Sequence, residues 1–257
     1  MKYKVAFLSP LGLLPAGMPA AQADGVKLPP NAQPIKLEKF MPAWSGFYAG
    51  INLGVISDHS RQTEFPSPPT GYCFFTGAVD CTHTNSQTAT GVLGGAQIGY
   101  NFQTGALVYG IEADFDLSSA RKTTTGPSQN GPLVGNWTAQ NGVKEFGTAR
   151  LRLGYAFDRA LVYATGGLAY ANMNNAFLAS GNAGYSWSAT TGWRAGLTAG
   201  GGVEYMLDPK WSIRGEALFY DLGRKDYFPT EPGNRATPLT DHTTGVIARI
   251  GLNYLFH

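Results

Sequence analysis

The chain has 257 residues, of which 14% are charged, 12% are aromatic and 34 are glycine, with a formal net charge of +2. Ordinary soluble domains carry roughly 25% charged residues and about 7% glycine. So much apolar and aromatic character with so little net charge excludes a disordered chain, and the absence of a long apolar run beyond the extreme N-terminus excludes helical membrane spans. The balance also gives no basic surface on which a main role in nucleic-acid binding could rest.

In chain order, residues 1–23 (MKYKVAFLSPLGLLPAGMPAAQA) place Lys2 and Lys4 before an apolar stretch from Val5 to Ala20 and then Ala21-Gln22-Ala23. That is the layout of a cleaved export signal. Its removal takes away two lysines and leaves 17 basic against 17 acidic residues. Residues 24–43 hold Pro29, Pro30, Pro34 and Pro42 without any period, which predicts an extended periplasmic tether. The remainder, 44–257, is predicted to form one domain.

Within it, eight stretches alternate apolar with small or polar residues: 45–56, 91–103, 106–117, 145–157, 160–173, 192–207, 210–222 and 245–256. Period two is the signature of half-buried strands. No proline falls inside any of them, as a hydrogen-bonded ladder requires. Thr104-Gly105, Asp158-Arg159 and Asp208-Pro209 make tight turns, whereas 57–90, 118–144, 174–191 and 223–244 are long connections. Short turns at one end, long loops at the other and an even strand count predict an all-β fold: an eight-stranded antiparallel up-and-down transmembrane β-barrel. Strands of this length suffice to cross hydrocarbon at a tilt.

The apolar faces are read as Phe47, Ile51 and Val55 in the first strand, Ile98, Tyr100 and Phe102 in the second, and equivalent sets in the others. The fifth strand is ambiguous: either Tyr163 or Tyr170 could face lipid. Aromatics collect in two bands. One, at the short-turn end, includes Trp44, Phe47, Tyr155, Trp211 and Tyr254; the other holds Phe115, Trp193 and Phe219. Such girdles favour a membrane barrel over a soluble barrel with an apolar lumen. The opposite face carries Asn52, Gln97, Asn101, Asn253 and nine charged residues: Glu112, Asp114, Arg150, Arg152, Arg194, Glu204, Arg214, Glu216 and Arg249. Inside a barrel this narrow, five arginines and four acids must pair. Glu112 and Asp114, facing Arg150 and Arg152, are expected to be ion-pair partners rather than catalytic acids.

Cys73 and Cys81 lie close together in an exported chain, which predicts a disulfide closing a small loop; no set of ligands spaced for a metal accompanies them. No nucleophile–base constellation is found, so no enzymatic activity is expected. Thr198-Ala199-Gly200-Gly201-Gly202 sits in a strand and precedes no helix, unlike a phosphate loop.

Trp44-Ser45-Gly46-Phe47-Tyr48-Ala49-Gly50 after a Pro-rich tether resembles the W-[TS]-G-F-Y-x-G opening of the alphaproteobacterial outer-membrane immunogenic protein/RopB-type family. Val162-Tyr163-Ala164-Thr165-Gly166-Gly167-Leu168-Ala169-Tyr170 and the ending Ala248-Arg249-Ile250-Gly251-Leu252-Asn253-Tyr254-Leu255-Phe256 are also similar to it. The resemblance implies an OmpA-like eight-strand barrel, a surface protein of a Gram-negative outer membrane surrounded by outer-membrane lipid and lipopolysaccharide. It also implies that Tyr254 and Phe256 form the signal read by the outer-membrane assembly machinery, although here His257 follows the phenylalanine. In some relatives it implies haem binding, for which His59 and His83 are the candidate ligands. Three functions are therefore weighed: a structural surface barrel, a haem or host-ligand receptor using its loops, and a narrow porin-like channel.

Overall fold

The computed structural model describes residues 44–64, 83–130, 133–181, 186–190, 192–227, 230–231, 235–236 and 239–256. The expected signal, tether, Cys73–Cys81 disulfide and His257 lie outside these residues. Thirteen strands are described: β1 (Gly46–Glu64), β2 (His83–Thr104), β3 (Leu107–Ser118), β4 (Arg121–Asn130), β5 (Leu133–Phe157), β6 (Ala160–Met173), β7 (Ala176–Gly181), β8 (Ser186–Thr190), β9 (Trp193–Met206), β10 (Trp211–Tyr227), β11 (Thr230–Glu231), β12 (Arg235–Ala236) and β13 (Leu239–Phe256).

Eight of them make the wall. They run β3-β2-β1-β13-β10-β9-β6-β5, every pair antiparallel, and β5 pairs with β3 to close the ring. The registers fix the geometry of closure. Stepping from partner to partner, Ala89 leads to Asp58, Gly245, Tyr220, Thr198, Gly167, Arg150, Glu112 and back to Gly99 on the starting strand. One circuit therefore advances ten residues. For eight strands with ordinary rise and spacing, that stagger sets a tilt of about 40° and a radius of about 8 Å.

Alternation holds around the wall, as in the strictly exposed–buried sequence of β3. Ile51, Leu53, Leu151, Leu168, Leu197 and Ile250 point outward at 60–69% exposure, while Asn52, Arg152, Thr198 and Arg249 beside them are buried. Outward apolar residues run from Phe47 to Val55 on β1 and from Val246 to Phe256 on β13. At about 2.5 Å of axial rise per tilted residue this belt stands roughly 25 Å tall, the thickness a membrane barrel needs. Lower-girdle rings touch across strands: Phe47–Phe256 at 5.5 Å, Trp211–Tyr254 at 5.1 Å and Phe102–Tyr109 at 5.5 Å. At the short-turn end, Gly105 (φ 61°) and Asp158 (φ 50°) adopt the left-handed conformation that glycine and Asp tolerate. Asp208 Oδ1 accepts from the backbone of Lys210 (2.8 Å) and Trp211 (2.9 Å) to close the third turn.

Two expectations are corrected and one left open is resolved. Trp44 is not in the girdle; it is 1% exposed and forms part of the apolar floor of the barrel, its backbone N–H donating to Gln103 Oε1 at 2.7 Å. It precedes β1, so strand alternation does not govern it. The fifth wall strand, β6, resolves with Tyr163 inward and Tyr170 outward against Trp193. The long connections are not simple loops. β1, β2, β5, β10 and β13 extend well past the belt; β4 and β7 pair with the upper half of β5, and β8 pairs with β7. Above the belt the ring thus opens into two ladders, β2-β1-β13-β10 and β4-β5-β7-β8.

Candidate functional site: the barrel interior

The inward side chains form four layers from the short-turn end upward. The floor is apolar: Trp44, Tyr48, Val108, Leu161, Met206 and Leu255, with the ring of Tyr163 above them. Next comes the ionic layer. A second apolar layer follows, built from Ile56, Leu93, Phe146, Leu218, Tyr220 and Ile247 among others. A polar cluster around Asp58 and Asp241 lies at the top. Single strands spell the order out: β10 reads Ser212, Arg214, Glu216, Leu218, Tyr220 on its inner face, and β13 reads Leu255, Asn253, Gly251, Arg249, Ile247.

Within the ionic layer Arg249 reaches Asp114 (2.7 Å), Asp116 (2.9 Å) and Glu216 (2.7 Å). Arg150 bridges Glu112, Asp114 (3.0 Å) and Glu216 (3.1 Å). Arg214 holds Glu112, and Arg152 holds Glu204. Neutral donors add to these pairs: Tyr48 Oη on Glu112 (2.6 Å), Tyr163 Oη on Glu216 (2.9 Å), Thr148 Oγ1 on Asp114 (2.6 Å), and Ser212 Oγ and Asn253 Nδ2 on Glu204 (2.5 and 2.7 Å). The Arg152 guanidinium also stacks 3.8 Å from the centroid of Tyr163. Buried charges persist only when paired and hydrogen-bonded in this way.

All nine sequence-predicted charged residues are buried, but they do not form one network. Arg194 sits apart in the top layer, donating to Asp241 (2.7 Å), Thr243 (2.8 Å) and the Gly223 carbonyl (2.7 Å). Arg152 does not serve Glu112 or Asp114 directly; the stagger of the wall turns it to Glu204. Three buried acids were missed. Asp116 continues the i, i+2 series of Glu112 and Asp114, so alternation alone pointed to it. Asp58 and Asp241 lie in what the sequence presents as loops; Asp58 accepts from Tyr220 Oη (2.8 Å) and Asn141 Nδ2 (3.1 Å). The described interior therefore holds five arginines and seven carboxylates.

Tyrosines and glycines interlock across neighbouring strands. Tyr48 lies opposite Gly99, Tyr163 opposite Gly202, Tyr220 opposite Gly245, and on the outer face Tyr170 opposite Gly147. A Cβ at Gly99, Gly245 or Gly147 would come within 2.4 Å of the facing tyrosine ring or hydroxyl. In each pair the missing side chain is the seat of the ring, which is how a small barrel accommodates rings inside and pins its register.

The haem candidates are not brought together. His59 pairs in register with Thr88, and its Nδ1 lies 3.2 Å from Thr88 Oγ1; the backbone of His83 pairs with Glu64. Five rungs separate the two levels, roughly 17 Å along the strands.

A protein-family model described as Outer membrane protein beta-barrel domain matches residues 37–255. The chain belongs to that family. It is an outer-membrane protein, as are its curated relatives. It is 35% identical over 218 residues to the 31 kDa outer-membrane immunogenic protein of Brucella melitensis, covering 83% of this chain and 84% of that one. It is 26% identical over 252 residues to the 25 kDa outer-membrane immunogenic protein of Brucella abortus, covering 95% and 94%. A 22 kDa outer membrane protein of Rhizobium leguminosarum matches at 30% identity, covering 50% of this chain and 52% of its own. Among solved structures, the outer membrane protein OprG of Pseudomonas aeruginosa aligns with a TM-score of 0.47 at 14% identity, covering 84% of this chain and 99% of that one.

In this outer-membrane barrel the last strand closes the wall, and Phe256 packs on both Phe47 (5.5 Å) and Tyr254 (4.9 Å) at the membrane edge. Phe256→Ala is expected to lower the amount of folded barrel recovered from outer membranes several-fold, read on a heat-modifiability gel. Insertion at the normal level would show that this residue is not part of the assembly signal.

Proposed function

We propose that this protein is a solid, non-conducting surface barrel that reinforces the outer membrane and carries two raised β-ladders for contacts outside the cell. The observation that supports this is the layering of the lumen. An ionic layer invites water, but here it lies between two apolar layers, and a wall of about 8 Å radius is filled by its own side chains. A conducting path would need continuous polar lining. Rings and aliphatic groups from β1, β6, β10 and β13 interrupt it both above and below the charges.

Planar-bilayer recording of the purified full-length protein tests the reading. No stable conductance steps are expected, for the native barrel or for Leu218→Ala. Steps that appear reproducibly and shift when Arg150 or Arg249 is replaced by glutamine would identify a channel through the ionic layer and overturn it.

A further inference from the structure

Of the seven buried carboxylates among the described residues, all but one touch an arginine: Glu112, Asp114, Asp116, Glu204 and Glu216 in the ionic layer, and Asp241 at the top. Asp58 is the exception. It is 0% exposed, and its two oxygens accept from Tyr220 Oη (2.8 Å) and Asn141 Nδ2 (3.1 Å), both neutral donors. No Lys or Arg among the described residues lies within salt-bridge distance of it. Arg194 is committed to Asp241, and Lys122, in register with Asn141 and facing the same mouth, stays exposed. A buried carboxylate held by neutral donors alone is costly. Unpartnered amide oxygens stand beside it. Gln87 is 8% exposed, and neither polar atom of its side chain has a hydrogen-bond partner; the buried Asn141 Oδ1 has none either. Asp58 lies opposite Ala89, and Gln87 opposite Ser60. Gln87 is therefore the diagonal neighbour of Asp58 on the lumen face, a separation of about 7–8 Å that a long side chain spans.

One carboxylate with two amide oxygens is a hard, all-oxygen donor set. Asp58 and Asp241 against Arg194 leave this top layer negative. The layer lies above the second apolar layer, where the ring opens into the two ladders, so it faces the external medium rather than the ionic layer. We infer that it binds a calcium ion, with the Asp58 carboxylate, Gln87 Oε1 and Asn141 Oδ1 as protein ligands and water completing the flexible shell that calcium takes. The Asn141 amide turns over to do so, its Oδ1 replacing the Nδ2 that donates to Asp58. Magnesium, which dehydrates reluctantly and demands a regular octahedron, fits less well. Asp58 and Gln87 belong to the ladder of β1 and β2, and Asn141 to β5 in the other, so the ion joins the two ladders at their base. The inference is independent of whether the lumen conducts.

The test equilibrates the folded full-length barrel, free of lipopolysaccharide and in an uncharged detergent, with radiolabelled calcium at fixed ionic strength. One ion per barrel is expected to bind with a Kd on the order of 0.1–1 mM, and magnesium and sodium to compete poorly. Asp58→Asn keeps an acceptor for Tyr220 but removes the charge, and is expected to abolish binding. Gln87→Leu breaks no hydrogen bond; it is expected to weaken binding about tenfold with heat-modifiable migration retained, and it carries the test if Asp58→Asn fails to fold. Calcium is also expected to slow amide hydrogen exchange in β5 above the belt. Absence of saturable binding, unchanged binding by Gln87→Leu, an equal loss on replacing the exposed Asp226 with asparagine, competition by magnesium at equal strength, or binding without slower exchange in β5 would overturn the proposal.

Discussion

Replacing Arg249 with methionine is expected to cost about 3–5 kcal/mol of stability, the usual penalty for breaking a buried ion pair from one side. Arg249 is bound by Asp114, Asp116 and Glu216 together. Asp114 and Glu216 keep Arg150, but Asp116 has no other cation within salt-bridge distance among the described residues. The variant therefore leaves an uncompensated carboxylate between two apolar layers. Adding Asp116→Asn should recover a large part of the loss, because the second change removes the orphaned charge rather than a further contact. Urea unfolding of the barrel in lipid vesicles, followed by tryptophan fluorescence, measures both. A loss below about 1 kcal/mol for Arg249→Met, or no recovery in the double variant, would show that the layer is hydrated and that the pairing adds little.

A single methyl group at Gly99 is the second large effect. Its Cβ would lie 2.4 Å from both Cζ and Oη of Tyr48, and Tyr48 is buried with its hydroxyl committed to Glu112 at 2.6 Å. The ring must move, and with it a donor to the ionic layer. Overpacking of this kind costs about 1–3 kcal/mol, and losing the Glu112 bond adds about 1–2 more. Gly99→Ala should therefore reduce stability by more than about 2 kcal/mol on those grounds. Gly215→Ala is the control: that glycine faces outward, a Cβ there would meet nothing within 4 Å, and its replacement should be close to neutral. Equal effects at the two sites would refute the interlocking of Tyr48 and Gly99.

The wall was legible in the sequence because hydrocarbon outside and a packed lumen inside impose a strict two-residue period. Strand β3 shows this best, every outward residue from Leu107 to Leu117 being apolar or alanine and every inward one from Glu112 to Asp116 acidic. Beyond the belt the constraint lapses. Residues 83–90 (HTNSQTAT) carry no apolar period, yet they remain a strand because β1 continues beside them. The same loss of signal hid β4, β7 and β8. Inside, alternation reveals which residues face the lumen but not whom they meet. Arg152 finds Glu204, fifty-two positions away, because the stagger of the closed ring decides the pairing. Trp44 was misplaced because it lies just before the strand whose pattern was applied to it.

The seam between β1 and β13 joins Phe47 to Phe256 and Glu64 to Leu239, residues from opposite ends of the domain. It is the most non-local pairing in the wall, so it carries the greatest entropic cost of loop closure. Until it forms, the first and last strands each present a row of unpaired amides and carbonyls, which hydrocarbon does not tolerate. A half-built wall therefore has no stable place in the bilayer. The chain must hold its two edges apart from lipid, or paired to something else, until its final eighteen-residue strand has arrived. Once shut, the same seam has no fraying end from which to unzip, and persistence of the barrel becomes a matter of the rate of opening rather than of equilibrium stability alone.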